Sequence, residues 1–415
     1  MRITIFNLLT EHQETTLTAI QETYLKEYPT ATVGIENIPL DNLKDCIGCW
    51  SCWVKTPGLC IHKDSMSTTY SSLVKSDIVL FAMSTAKGFI SGPCKTFIDR
   101  LIPLFHPYFR LDKGEMMHVK RYDEYPVMDV YYDDTILTEG ESAILEDYFY
   151  RMFEHFQISG HRICLNQEEH RRILLADRSP KPDIHWDTLP PESSFGKVIL
   201  YNGSPRGKGG NSLKIINQLA VGLKEAGVKE EDIIIRHLAN QANHALWAKD
   251  FHNHSRHFFV FPLYVHAMPG IVKKFFDLLT PVKSDSIQMS FFVQSGFPEG
   301  FQSHYLRAWL ARFPRTLNCL YGGILIKGGM EALQVKPDEA NKKLYAQLNH
   351  LGQGYAKTGL MQAREVAILS SPEHLSLPVQ LLFKFAFKIG IGNFYWAYRL
   401  KKNNAYDRRF DKPYM

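Results

Sequence analysis

Apolar residues in the first half of the chain fall into short runs that alternate with stretches of helical periodicity. Runs of buried-strand length predict strands at 2–8, 32–38, 77–83, 127–132 and 161–165. Helices are predicted at 15–28, 92–105 and 142–156. Strands that alternate with helices in this way form a parallel sheet with helices on both faces.

The same alternation begins again after a proline-rich polar segment at 176–194, which lacks periodicity and is typical of a linker. Further strands are predicted at 197–202, 232–238, 258–262, 288–294 and 320–326, with helices at 211–226 and 270–279. The predicted fold class is α/β, with two doubly wound parallel-sheet domains in tandem. Their predicted bounds are 1–170 and 197–345, with a linker at 171–196 and a C-terminal helical extension at 346–415.

Two matching landmarks indicate that the second half repeats the first. The apolar run at 77–83 precedes a helix at 92–99, and the run at 257–262 precedes a helix at 270–277. Each helix carries lysine, phenylalanine and aspartate in the same order. We therefore predict an internal duplication.

Two other segments carry less definite patterns. Residues 377–392 are apolar but interrupted by Lys384 and Lys388, which are four residues apart and so share one helix face. This pattern predicts an amphipathic helix docked on the protein, with peripheral membrane contact as the alternative. The segment 118–122 combines a histidine, two cations and an aromatic residue, and is predicted to be a solvated loop.

Composition excludes some classes of function. The chain has 415 residues, of which 45% are hydrophobic and 22% charged, as expected for a globular protein with two cores. A formal charge of +5, without basic blocks among aromatics, argues against nucleic-acid binding. The N-terminus resembles a first strand more than a signal peptide, and no transmembrane segment is predicted. The cytoplasm is the expected compartment.

Four of the seven cysteines lie in one short stretch, at Cys46, Cys49, Cys52 and Cys60. The spacing C-x2-C-x2-C-x7-C lets successive thiolates face a common centre, which suits an iron–sulfur cluster or a zinc ion. Trp50 and Trp53 lie between these cysteines. They would shield a cluster from water, but they would equally suit a packed loop without metal.

A glycine-rich loop joins a predicted strand to a predicted helix at 201–212. Its glycines let the backbone approach an anion, and the following helix offers free N–H groups. The candidate anion-binding residues are Ser204, Pro205, Arg206, Gly210, Asn211 and Ser212. The alternative is a glycine-rich turn that merely caps the helix.

These motifs resemble those of a known group of proteins. Residues 203–206 and 210–212 resemble the phosphate loop of flavodoxin-like NAD(P)H-dependent FMN reductases. The cysteine loop, with Gly58 before Cys60 and the pair Lys63 and Asp64 after it, resembles that of iron–sulfur flavoproteins. Each half keeps part of the pattern, because residues 6–12 lack the glycines and arginine, and residues 240–247 replace the cysteines.

The resemblance implies two flavodoxin-like domains and an FMN-dependent oxidoreductase, with NAD(P)H as electron donor and a 4Fe–4S cluster as a further candidate. The FMN phosphate would lie on the glycine-rich loop. The flavin ring would lie near Pro262, Leu263, Tyr264, Val265 and His266, with Ser295 and Gly296 on its other side. Implied partners are a small-molecule or protein electron acceptor and a second copy of the chain. The alternative function is a non-enzymatic electron carrier or redox sensor.

Overall fold

The computed structural model describes residues 1–10, 13–133, 135–158, 162, 163, 187, 196–283 and 286–415. Contacts divide the chain into two compact units. The first comprises Met1–Ile173 and Ser376–Met415, and the second comprises Leu174–Leu375. The stretch predicted as one C-terminal extension is thus divided between the two units. The predicted strand at 161–165 and the linker at 171–196 lie almost wholly outside the described residues.

The described elements follow the predicted alternation. The strands are β1 Arg2–Leu8, β2 Thr32–Asn37, β3 Ile78–Met83, β4 Thr85–Ala86, β5 Phe89–Ile90, β6 Phe105–Asp112, β7 Glu115–Lys120, β8 Val127–Tyr131, β9 Val198–Asn202, β10 Ile233–His237, β11 Arg256–Pro262, β12 Gln288–Gln294 and β13 Leu320–Lys327. The helices are α1 Gln13–Glu27, α2 Ser51–Val54, α3 Met66–Val74, α4 Gly92–Asp99, α5 Glu139–Phe156, α6 Asn211–Glu225, α7 His244–Asp250, α8 Gly270–Leu278, α9 His304–Thr316, α10 Ala332–Val335, α11 Asp338–Thr358, α12 Ala363–Leu369, α13 Leu377–Lys388 and α14 Phe394–Lys402.

The main sheet of the first unit is parallel, with strand order β2-β1-β3-β8. Ile163 adds a parallel bridge to Val130 on the far side of β8. The central strand β3 is buried along its whole length, which explains its unbroken apolar sequence. On one face of the sheet, Leu17, Ile20 and Tyr24 of α1 pack against β1 and β3.

A hairpin of β6 and β7 replaces two predicted features of the first unit. The predicted helix at 92–105 ends at Asp99, and the chain enters β6 at Phe105. The prediction of a solvated loop at 118–122 was wrong, because β7 extends to Lys120 and the next residue, Arg121, is buried. Buried Glu115 forms an ion pair with buried Arg151 of α5, which fixes the hairpin to that helix.

The second unit has a five-stranded parallel sheet with the order β10-β9-β11-β12-β13. This order is typical of flavodoxin-like folds. Helix α11 packs on α6 at very short range. A Cβ atom at Gly222 would collide with the carbonyl oxygen of Asn349, and one at Gly352 with that of Leu219. These two glycines therefore let α11 complete the core of the second unit.

Candidate functional site

Three loops of the second unit meet at one edge of its sheet. They follow β9, β11 and β12, which are neighbouring parallel strands, so their carboxyl ends lie side by side. In a doubly wound sheet this edge is where ligands bind, beside the strand at which the order reverses. The predicted FMN-binding residues of the sequence all lie on these loops or at the ends of the elements that they join.

Asn202, the last residue of β9, determines the shape of the first loop. Its Oδ1 accepts the Ser204 N–H at 3.1 Å, and its Nδ2 donates to the Gly207 carbonyl oxygen at 2.9 Å. Its Nδ2 also lies 3.0 Å from Nδ1 of His237, and burial lowers the pKa of that histidine. Neither Asn202 nor His237 was among the site residues predicted from the sequence. An amide residue directly before the glycine-rich loop was the available signal for Asn202.

Two glycines in this loop leave no room for a side chain. A Cβ atom at Gly203 would lie 2.7 Å from Cβ of Phe261 and equally close to Cγ2 of Val272. A Cβ atom at Gly210 would collide with the Ser204 hydroxyl. At Gly203 the backbone therefore passes closer to β11 and α8, and at Gly210 closer to Ser204, than any other residue type would allow.

Helix α6 begins at this loop, and its first two residues are buried. The Asn211 amide donates to the Met330 carbonyl oxygen at 2.8 Å. The Ser212 hydroxyl is buried without a hydrogen-bond partner among the described residues. Because the first N–H groups of a helix lack partners within it, a buried hydroxyl beside them makes this point suitable for an anion.

Arg206, which the sequence places beside a phosphate, has partners in the segment before α11. Its guanidinium donates to Gln334 Oε1 at 2.9 Å and lies 3.6 Å from a Glu331 carboxylate oxygen. The side chain is therefore positioned at the loop, where an anion would compete with Glu331 for its charge.

The second loop contains a tight turn with unusual backbone angles. Tyr264 and Ala267 exchange two backbone hydrogen bonds, of 2.8 and 3.0 Å. Between them Val265 has φ 41° and His266 has φ 60°. A β-branched residue in the left-handed region is strained, and such strain is concentrated at functional sites. Leu263 is anchored by its N–H, which donates to the Gln294 carbonyl oxygen at 2.7 Å.

The third loop supports the same edge. Buried Ser295 donates its hydroxyl to the Phe297 carbonyl oxygen at 3.0 Å and its N–H to the Lys327 carbonyl oxygen at 3.0 Å. Gly296, next to it, is exposed. Exposed Gly296 and half-buried Tyr264 thus border the surface above β11 and β12.

The first unit repeats several of these features without the anion loop. Asn7 at the end of β1 accepts the Leu9 N–H at 3.1 Å, as Asn202 does for Ser204. Beyond it, the Thr10 N–H donates to the Ser84 hydroxyl at 2.8 Å, so this backbone is already satisfied. Beyond β3, a two-residue turn joins β4 to β5, with Lys87 at φ 55° and Gly88 at φ 70°.

The cysteine loop follows β2, and Arg100 holds its two ends together. The guanidinium donates to the Lys44 carbonyl oxygen at 2.6 Å and to both carboxylate oxygens of Asp64, at 2.7 and 2.9 Å. Partial burial would raise the pKa of Asp64, but the hydrogen bonds and charge of Arg100 lower it on balance. Asp64, of the Lys63 and Asp64 pair in the sequence, thus forms a partly buried ion pair with Arg100.

The thiols of Cys46, Cys49, Cys52 and Cys60 are free, and their mutual electrostatic repulsion disfavours the thiolate form of Cys52. Burial raises the pKa of Cys46 to about 12, and burial together with the other three thiolates raises that of Cys52 well above its usual value. A bound cation would stabilise the thiolate form, which burial and the neighbouring thiolates disfavour. Across the ranges that the structure describes, however, no group of three or more His, Cys, Asp or Glu is arranged to hold a metal ion. Binding would require the loop to close on the metal.

The C-terminal segment of the first unit covers this loop, a contact that the sequence analysis missed. The Trp396 ring of α14 lies 5.1 Å from that of Trp50 and 5.4 Å from that of Trp53, edge-on to both. Buried Arg121 donates to the carbonyl oxygen of Asp411 at 3.0 Å. The Tyr414 ring lies 5.0 Å from that of Tyr70. Trp50 and Trp53 thus pack against a third tryptophan, Trp396.

Part of this chain is similar in sequence to iron–sulfur flavoproteins. No family model matches this chain. It is 35% identical over 77 residues to an iron–sulfur flavoprotein of Methanocaldococcus jannaschii, which is 19% of this chain and 38% of that protein. It is 31% identical over 84 residues to an iron–sulfur flavoprotein of Archaeoglobus fulgidus, which is 20% of this chain and 37% of that protein. The match thus spans under two fifths of each curated relative, and it confirms the predicted resemblance over about a fifth of the chain.

Two solved structures of reductases show partial similarity to this chain. An FMN-dependent NADH-azoreductase from Bacillus anthracis, solved with FMN, has a TM-score of 0.32 and 15% identity, over 39% of this chain and 99% of that one. An NAD(P)H:quinone oxidoreductase from Methanothermobacter marburgensis has a TM-score of 0.31 and 14% identity, over 39% of this chain and 98% of that one.

Proposed function

We propose that this chain is an FMN-dependent oxidoreductase that binds FMN at the loop edge of its second unit. The observation that carries the proposal is the loop from Gly203 to Ser212, where closely packed glycines lead into a helix whose buried Ser212 hydroxyl lacks a partner among the described residues. The FMN phosphate would accept hydrogen bonds from Ser212 and from the first N–H groups of α6. Arg206 would add charge by releasing Glu331.

The flavin ring would lie over the strained turn at Val265 and His266, with Ser295 and Gly296 at its other side. Rigid backbone at this turn orients the ring, and Tyr264 would contact its face. When bound, FMN supplies the hydride and electron chemistry, and the protein positions it and excludes water. NAD(P)H is the proposed donor, and a small molecule or a protein is the acceptor.

The first unit is proposed to be a duplicate that has lost the anion loop. Three pairs of features support this: Asn7 with Asn202, the turns after β3 and β11, and matching lysine–aspartate ion pairs on α4 and α8. Its cysteine loop is the proposed 4Fe–4S site, because Cys46, Cys49, Cys52 and Cys60 have a spacing that suits a cluster. Zinc or a metal-free loop are the alternatives. A homodimer and a cytoplasmic location stay predictions.

An anaerobic titration tests the reductase function against the alternative of a non-enzymatic carrier. The purified chain is loaded with FMN, and NADH or NADPH is added without an acceptor. A reductase reduces its flavin with one of these donors, and bleaching of the flavin absorbance reports the reaction. Flavin that stays oxidised with both donors, yet is reduced by dithionite, would indicate a carrier.

A further inference from the structure

Helix α13 and the start of α14 expose a continuous set of large apolar side chains. No residue of α13 is buried. We define the apolar surface by its exposed members Leu377, Leu381, Leu382, Phe385, Ile389, Ile391, Phe394 and Tyr398. Leu381 and Leu382 are each 65% exposed and Phe385 is 59% exposed. Soluble proteins rarely leave such a contiguous patch in water, so a surface of this kind is typical of an interaction site.

The opposite face of α13 explains why this surface is held in position. Phe383 and Phe387 stack 6.0 Å apart on the side that is less exposed. The turn after α13 is fixed to β6 by Asn393, whose Oδ1 accepts the Phe109 N–H at 2.7 Å and whose Nδ2 donates to the Phe109 carbonyl oxygen at 3.0 Å. The helix is therefore apolar on both faces, and among the described residues its outer face is left exposed.

The net positive charge of the chain is concentrated in the same segment. Residues 376–415 contain two aspartates and eight basic residues, Lys384, Lys388, Arg399, Lys401, Lys402, Arg408, Arg409 and Lys412. Their formal charge of +6 exceeds the +5 of the whole chain, so the remaining residues are slightly negative in sum. Lys384 and Lys388 are both exposed and lie along the border of the apolar surface.

We propose that this apolar surface binds an anionic lipid bilayer, with α13 lying in the plane of the headgroups. Exposed leucines and phenylalanines bordered by lysines are what an interfacial helix presents to such a membrane. Basic residues near an anionic leaflet add attraction that salt weakens. Within the part of the chain that the structure describes, no helix is long and apolar enough to span a membrane. The contact is therefore peripheral.

Electrostatics favours a bilayer over a second copy of the chain as the occupant. Two copies that met through this surface would bring together two segments of +6 each. Like charges held at such short range repel, whereas anionic headgroups would be attracted. The sequence predicts a helix in this segment, and α13 is that helix. Peripheral membrane contact, the alternative that the sequence left open, is what we propose for its outer face.

Co-sedimentation of the full-length protein with lipid vesicles tests this proposal. We expect binding to vesicles that contain phosphatidylserine and little binding to vesicles of phosphatidylcholine alone. Leu381→Ser combined with Phe385→Ser should lower the bound-to-free ratio at least about tenfold, because two apolar side chains no longer enter the interface. Leu246→Ser is the matched control, since Leu246 is 64% exposed on α7 of the second unit. It should bind as the unmodified protein does.

The charge contribution is tested separately. Lys384→Glu combined with Lys388→Glu should also reduce binding, and raising the salt from about 0.1 M to about 1 M should do the same, since the Debye length falls from about 10 Å to about 3 Å. Absence of binding to phosphatidylserine vesicles would overturn the proposal. So would equal binding to both vesicle types, or a dimer in solution that the Leu381→Ser, Phe385→Ser variant converts to monomers.

Discussion

Gly58 and Pro413 lie so close that the cysteine loop and the C-terminal segment fit together only because residue 58 is glycine. A Cβ atom at Gly58 would lie 2.7 Å from Cδ of Pro413. The backbone at Gly58 also has φ 83°, a conformation that other residue types rarely adopt. The C-terminal segment therefore packs closely against the cysteine loop and supports its conformation.

Removing Trp396 should destabilise the first unit and open the cysteine loop. Trp396→Ala deletes a ring that is only 4% exposed, and large-to-small changes of this kind cost about 3–5 kcal/mol. We expect a lower free energy of unfolding in urea and faster reaction of the cysteines with a thiol reagent. Tyr398→Ala on the same helix is the control, because Tyr398 is 51% exposed. Equal thiol reactivity in both variants would show that Trp396 does not cover the loop.

Ser212→Ala should separate FMN affinity from stability. The Ser212 hydroxyl is buried without a partner among the described residues, so its removal should leave the FMN-free protein equally stable or more stable. FMN affinity should fall about tenfold or more, since a hydrogen bond to a charged phosphate is lost. Thr10→Ala, in the loop that follows β1 of the first unit, should leave FMN affinity unchanged. An unaltered dissociation constant in Ser212→Ala would place the phosphate elsewhere.

The sequence predicted the loop edge of the second unit because strand positions follow from local apolar runs. Once β9, β11 and β12 were identified, the parallel order brought Ser204, Tyr264 and Ser295 to one edge. It could not predict the cover of the cysteine loop. Trp396 meets Trp50 across more than three hundred residues of chain, and no local pattern encodes such a contact.

The same reason explains the division of the C-terminal extension. The sequence predicts that 346–415 is helical, and that local pattern does not decide to which unit each helix belongs. Their partners differ, because Gly352 of α11 meets α6 of the second unit, whereas Asn393 after α13 meets β6 of the first. The unit to which each C-terminal helix belongs is therefore decided by the element on which it packs, and that element is distant in sequence.

Stability of the second unit should fall as the pH is lowered below about 6.5. Burial lowers the pKa of His257 to about 3, and its imidazole lies 3.2 Å from the Tyr201 hydroxyl. Between pH 6.5 and about pH 3, His257 binds a proton in the unfolded chain but not in the folded chain. The free energy of unfolding therefore falls by up to about 1.4 kcal/mol per pH unit from this residue. In His257→Gln the decline between neutral and mildly acidic pH, measured by urea unfolding, should be shallower. Parallel pH profiles would refute this assignment.

The cysteine loop should acquire an oxygen-sensitive cluster under anaerobic conditions. About four irons and four acid-labile sulfides per chain are expected after expression or reconstitution without oxygen. Cys52→Ser should lose most of this iron, whereas Cys319→Ser, at a buried cysteine of the second unit, should retain it. A zinc ion in place of iron, or protein that stays metal-free after reconstitution, would contradict the cluster.

Equilibrium titration of the flavin-free chain with FMN tests the central claim most directly. Quenching of flavin fluorescence gives both the number of sites and the affinity. We expect about one FMN per chain, because among the described residues the closely packed glycines that lead into a helix start, Gly203 and Gly210, lie in the second unit. Gly210→Val should abolish this binding, since a side chain at residue 210 collides with Ser204. Two FMN per chain, or full binding in Gly210→Val, would contradict the account.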